Sequence, residues 1–190
     1  PGVENYFMTA QVDKGGLGID ATTAGSVVGT YWFLMFVGRF VGGALGAKFS
    51  SKVMLSFVAS LGLLFVLLAI FLPTDVVVNM PVFNKNISFG LAEVPASVMF
   101  LTLCGLCTSV MWGGIFNLAT EGLGKYTAAA SGIFMVMVCG GGILSTLQSY
   151  IADLFGYVQS YWVVIIGLLY ILYYALVGSR NVNKDIVVND

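Results

Sequence analysis

Met111 to Lys125 reads MWGGIFNLATEGLGK. It closes an uncharged run that begins at Val94, and it carries Trp112, Asn117 and Glu121. A spanning helix needs about 20 mostly apolar residues, and the segment from about 95 to 120 supplies them. An indole, an amide and a carboxylate are costly in lipid unless they face a cavity or a partner. This stretch therefore reads as the cavity-facing part of a membrane helix.

The rest of the composition agrees. Hydrophobic residues make up 58% of the 190, and charged residues only 9%, against roughly 25% in soluble domains. So few charges do not cover a water-facing surface of this size, so the solvent for most of it is lipid. The net charge of −1 gives no electrostatic case for nucleic acid. Cys104 and Cys107 form a CxxC, but with no histidine in the chain and no second pair they read as small packing residues. No metal, cofactor or enzymatic site is expected, since neither paired carboxylates nor a nucleophile–base motif is present. The first residue is Pro1, inside an apolar segment, which suggests a piece of a longer protein.

Outward from the central stretch, the apolar runs predict an all-α membrane domain over 1–178. Its spans are a truncated remnant at about 2–12, then 22–47, 53–72, 95–120, 126–152 and 158–178. Pro73 and Thr74-Asp75 stop the third, and the connection from 73 to 94 has room for a short ordered piece near Val76–Val78 and Ile87–Phe89. Residues 179–190 read as a polar tail. Arg39, Lys48, Lys52, Lys125, Arg180 and Lys184 fall on one side of such a bundle, and Lys14 and Lys85 on the other. Positive charge accumulates on cytoplasmic loops, so the 46–52 loop, the 121–126 loop and the C-terminal tail are expected to be cytoplasmic. Gly25, Gly29, Gly38, Gly42 and Gly46 include pairs four apart, a spacing that lets helices approach closely.

Several polar residues stand out against this background. Glu4 and Asn5 lie in the remnant, and Gln11 follows Glu4 by seven, on roughly the same helix face. A carboxylate and amides on one face suit sugar hydroxyls, which both donate and accept. The plainer reading is that they lie near water. Trp112 can stack on the apolar face of a sugar while Asn117 binds its hydroxyls. Tyr31, Trp32 and Gln148 are weaker candidates. Arg39 either snorkels toward the interface or pairs inside the bundle. Glu121 precedes Lys125 by four, the favourable order for a helical ion pair. Lys48 and Lys52 are loop charges suited to gating or structure.

These residues also carry a family resemblance. GRFVGGALGAKFSSKVML, Gly38 to Leu55, resembles the second-to-third helix junction of a half of a major facilitator transporter. Gly43, Leu45, Lys48 and Lys52 match its loop pattern, but Ala47 stands where an acid is usual. SVMWGGIFNLATEGLGKYTAAASGIFMVMVCGGGI, Ser109 to Ile143, is similar to the tenth and eleventh helices of the fucose, galactose and glucose proton symporters. GVEN, Gly2 to Asn5, resembles their seventh. Trp112 to Phe116 departs from the proline-containing segment common there.

The resemblance implies helices seven to twelve of a twelve-helix transporter, two inverted three-helix repeats that work by alternating access. It also implies a hexose substrate, a proton as coupling ion, and a bacterial inner membrane. A first half would cover the cavity and carry the family's proton-binding acids. In this half, Glu4, Asn5, Trp112 and Asn117 would be the sugar contacts. A transporter of a non-sugar solute, or a six-span subunit that transports nothing, are the alternatives.

Overall fold

The computed structural model describes residues 2–84 and 88–180. Lys85, Asn86 and Ile87, with Lys184 and most of the expected tail, lie outside the described residues. In chain order the elements are α1 (Gly2–Thr9), α2 (Ala21–Gly46), α3 (Ser51–Phe71), β1 (Val77–Phe83), β2 (Phe89–Pro95), α4 (Ala96–Thr120), α5 (Thr127–Met137), α6 (Cys139–Phe155) and α7 (Tyr157–Tyr173). Helix α7 runs on through one π turn to Gly178. Among the described residues, five segments are long and apolar enough to cross a membrane, with Gly124–Phe155 taken as one.

The helix ends follow local chemistry. Asp20 caps α2, its side chain accepting from the amides of Thr22 at 2.9 Å and Thr23 at 3.3 Å. Those two N–H groups hold its carboxyl below the usual carboxylate range. Ser50 caps α3 through the Val53 amide. Leu72, before Pro73, is already extended, as a residue preceding proline tends to be.

Helix α1 ends earlier than its apolar run does. The chain turns at Gln11, and left-handed Gly15 and Gly18 bring it back so that the amides of Leu17 and Ile19 bond the carbonyls of Phe7 and Met8. Those carbonyls would otherwise be orphans of the helix end. Gln11 is therefore extended and exposed, not one turn further along the Glu4 face.

Two packed clusters hold the bundle. In the first, Leu55, Ala59 and Val66 of α3 meet Leu101, Cys107 and Met111 of α4, and Tyr161, Ile165 and Leu168 of α7. Between helices in lipid the stabilisation is close van der Waals contact, not escape from water. Cys107 acts here as a packing residue, and all three cysteines are free. Gly38 and Gly42 of α2 face Ser109 and Val110 of α4, whereas Gly25 faces open space. The 38–42 pair is thus the part of the glycine pattern that brings helices together.

The second cluster sits at the opposite end from the 47–50 loop and contains an element absent from an all-helical reading. Strands β1 and β2 pair antiparallel from Val77↔Pro95 to Phe83↔Phe89. Met80 and Val82, with Ala92 and Val94, turn one face onto Phe7, Met8, Ala24, Val27 and Val98. The hairpin is pinned to α2 by the Phe83 amide, which donates to Thr30 Oγ1 at 2.8 Å, and by Phe33 stacked on Phe83 at 5.0 Å. Thr30→Val should cost about 1 kcal/mol by leaving that amide unpaired. Hydrogen exchange at Phe83 should then quicken roughly fivefold, with α3 amides unaffected.

The expected span 126–152 is two helices. α5 and α6 meet at Val138, whose amide reaches back only to Met135. The Gly140–Gly142 run follows immediately and weakens helix continuity. Among described residues α5 has no buried side chain and α6 only Ala152, so this pair lies at the edge of the bundle.

Candidate functional site

The predicted polar residues fall into two cavities. The central one has a volume of about 320 Å³, within the roughly 300–1,000 Å³ of small-molecule sites. Glu4, Tyr31, Thr108, Gln148, Ser145 and Ser149 supply most of its polar wall. Thr108 lies about 18 Å along α4 from Ala96, close to the middle of a helix about 37 Å long at roughly 1.5 Å per residue.

Glu4 is 3% exposed, and Thr102 Oγ1 lies 3.0 Å from its Oε1. Tyr31 and Thr108 share a hydrogen bond of 3.1 Å between their hydroxyls. The Thr108 hydroxyl also lies 3.1 Å from each of the Cys104 and Gly105 carbonyls, and its one proton can go to either. With that proton on its own helix, Thr108 accepts from Tyr31. The Tyr31 oxygen keeps lone pairs to accept from a ligand. From α6, Ser145 and Ser149, four apart, share a face, and Gln148 adds both a donor and an acceptor.

The second cavity, of about 540 Å³, lies nearer the 47–50 loop. Arg39, Trp112, Asn117 and Ser109 line it, with the backbone of Gly42, Gly43 and Gly46. Trp112 stands edge-on to Phe134 at 5.0 Å. The central stretch of sequence thus faces this loop-side cavity and not the one that holds Glu4.

The other predicted residues are distributed as follows. Asn5 is half-buried, and its carbonyl accepts from Thr9. Lys52 Nζ donates to the Leu176 carbonyl at 3.0 Å, tying α3 to the end of α7. Lys48 is exposed. The Glu121–Lys125 helical pair does not form, because α4 ends at Thr120, Glu121 is extended and Gly122 is left-handed. Lys125 instead lies over the Tyr126 ring, 5.5 Å from its centre. Lys52, Glu121 and Ser179 border one hollow, so the loop, the end of α4 and the end of α7 share one face of the bundle.

In the sequence Tyr31 and Gln148 are weaker candidates, and Thr108, Ser145 and Ser149 carry no signal. A hydroxyl in an apolar run can bond its own helix or face a cavity, and spacing does not separate the two.

A helical bundle with polar side chains gathered mid-span defines a polytopic membrane fold. The Major Facilitator Superfamily profile matches residues 4–185, and the chain belongs to that family. Over 180 residues it is 28% identical to a glucose/galactose transporter of Brucella abortus biovar 1 (strain 9-941), covering 94% of this chain and 39% of that protein. It is 29% identical over 169 residues to a Helicobacter pylori (strain J99) protein provisionally given the same name, covering 86% of this chain and 37% of the other. The chain therefore spans under two fifths of these relatives' length. A crystal structure of the peptide transporter POT in complex with alafosfalin superposes with a TM-score of 0.69 at 18% identity, covering 92% of this chain and 34% of that one. At that identity the likeness is one of fold.

Proposed function

We propose that this chain forms one wall of a transporter for a sugar of the glucose and galactose class, working by alternating access. The observation that carries the reading is the central cavity. Tyr31, Thr108, Ser145, Gln148 and Ser149 offer neutral donors and acceptors at mid-span, with no Lys or Arg among the described lining residues. That chemistry fits polyhydroxylated neutral solutes and disfavours anions. The names of the relatives point to the same substrate class.

In this reading the cavity is half a site. A second half of the transporter faces it and rocks against it around the bound sugar. Trp112, Asn117 and Arg39 line the passage toward the 47–50 loop, which lies on the cytoplasmic side of a bacterial inner membrane together with Lys52 and the end of α7. A proton is the coupling ion.

Uptake of labelled hexoses into vesicles holding the full-length protein tests this. Glucose or galactose should accumulate under an inward proton gradient, and accumulation should collapse when the gradient is dissipated. Uptake of neither sugar by folded protein would end the sugar reading. Uptake indifferent to pH but driven by sodium would replace the ion.

A further inference from the structure

Among the described residues Glu4 is the one carboxylate that lines the central cavity, and neutral hydrogen-bonding chemistry for a sugar does not require it. It sits on α1, 3% exposed. The titratable groups that line the cavity with it are Tyr6 on its own helix, Tyr31 on α2, Cys104 on α4 and Tyr161 on α7. Helix α6 contributes only Ser145, Gln148 and Ser149 to the lining. Among the described lining residues there is no Lys or Arg.

The detail that decides its role is Thr102. Its hydroxyl lies 3.0 Å from Glu4 Oε1 and 2.9 Å from the Val98 carbonyl. One hydroxyl proton cannot serve both acceptors at once. With Glu4 ionised, Thr102 donates to the carboxylate. With Glu4 protonated, the carboxyl O–H donates to Thr102 Oγ1, and Thr102 turns its proton to Val98. Both states are hydrogen-bonded with every heavy atom in place. Buried polar groups are costly chiefly when a partner is lost, and the Glu4–Thr102 hydrogen bond is kept in both states.

We propose that Glu4, with Thr102 as its switching partner, is a proton-carrying site of this half of the transporter. The proposal rests on the transport reading above. On one side an O–H bond of a hydronium ion in the cavity water breaks as an O–H bond forms at a Glu4 carboxyl oxygen; on the other side that O–H breaks and the proton passes to water as hydronium. A carboxylate is expensive to carry through a closed, dry intermediate. Protonated Glu4 crosses as a neutral group, so the wall that binds sugar changes sides most easily when a proton is aboard.

The test uses the full-length protein in vesicles. Glu4→Gln should reduce proton-gradient-driven sugar accumulation at least tenfold more than it reduces counterflow of labelled against unlabelled sugar at equal pH. Thr102→Val should shift the pH profile of uptake, and Thr102→Ser should restore it. Equal loss of both activities in Glu4→Gln would make Glu4 a binding or structural residue and overturn the proposal, as would intact driven accumulation.

Infrared difference spectra across a pH titration decide the point without any transport. A carboxyl carbonyl band that appears with protonation in the wild type and is missing in Glu4→Gln supports the site. A spectrum the same in both overturns it. A wild-type protein that moves no sugar yet has this band would end the substrate reading and leave Glu4 standing.

Discussion

Gly105→Val should separate α2 from α4 and be the most damaging single change in the bundle. A Cβ at Gly105 would stand 2.6 Å from the Tyr31 carbonyl oxygen and 3.4 Å from its carbonyl carbon. That obstacle is backbone inside α2 and has no rotamer to escape into. Overpacking a tight contact costs 1–3 kcal/mol and occasionally more. With backbone against backbone the expected loss is about 3 kcal/mol, at the top of that range.

Gly113→Val is the matched control. It lies in the same helix and nothing stands within 4 Å of its Cβ position. Unfolding of the full-length protein in mixed detergent should give a much lower midpoint for Gly105→Val than for Gly113→Val. Equal midpoints would mean that the α2–α4 contact is not tight. The damage should reach function too, since the displaced carbonyl belongs to Tyr31, whose hydroxyl bonds Thr108 in the central cavity.

The contrast between those two glycines bears on what a sequence can disclose. Glycine spacing on α2 singled out a packing face, and Gly38 and Gly42 occupy it. Among the helix glycines, Gly105 makes the closest approach to another helix's backbone, and it has no second glycine four residues away to signal it. Span positions were legible because about 20 apolar residues in a row have few alternatives in water. The hairpin was only half legible. Its buried positions, Met80, Val82, Ala92 and Val94, alternate as strands require, but Pro81, Asn79 and Gly90 break the run of strand-formers.

The site was legible by residue type and not by arrangement. Glu4 was conspicuous because a carboxylate in an apolar run is expensive. The spacing of seven places Gln11 on the same helix face, from which the turn after Thr9 removes it. Its actual partner, Thr102, is distant in the chain and ordinary in composition. Trp112 and Asn117 read as cavity-facing and do face a cavity, but a second one. Which cavity a residue enters depends on how α4 is rotated against α2 and α3, and apolar runs uniform on all sides leave that rotation open.

Tyr31→Phe separates the two cavities by affinity. Thr108 donates to its own helix, so Tyr31 donates to Thr108 and keeps lone pairs toward the cavity. Removing the hydroxyl deletes one acceptor for a sugar O–H, a loss of about 1.4 kcal/mol or roughly tenfold in Kd. Gln148→Leu, across the cavity on α6, should cost about the same. The two side chains come from different helices with no hydrogen bond between them, so the double variant should bind roughly a hundredfold more weakly.

Trp112→Ala, in the loop-side cavity, should change Kd by less than about twofold, since loss of a passage residue alters rate before affinity. Equilibrium binding of glucose or galactose to the full-length protein in detergent measures all four. If Trp112→Ala weakens binding more than Tyr31→Phe does, the sugar rests between Trp112, Asn117 and Arg39. The central cavity would then keep Glu4 and lose the substrate.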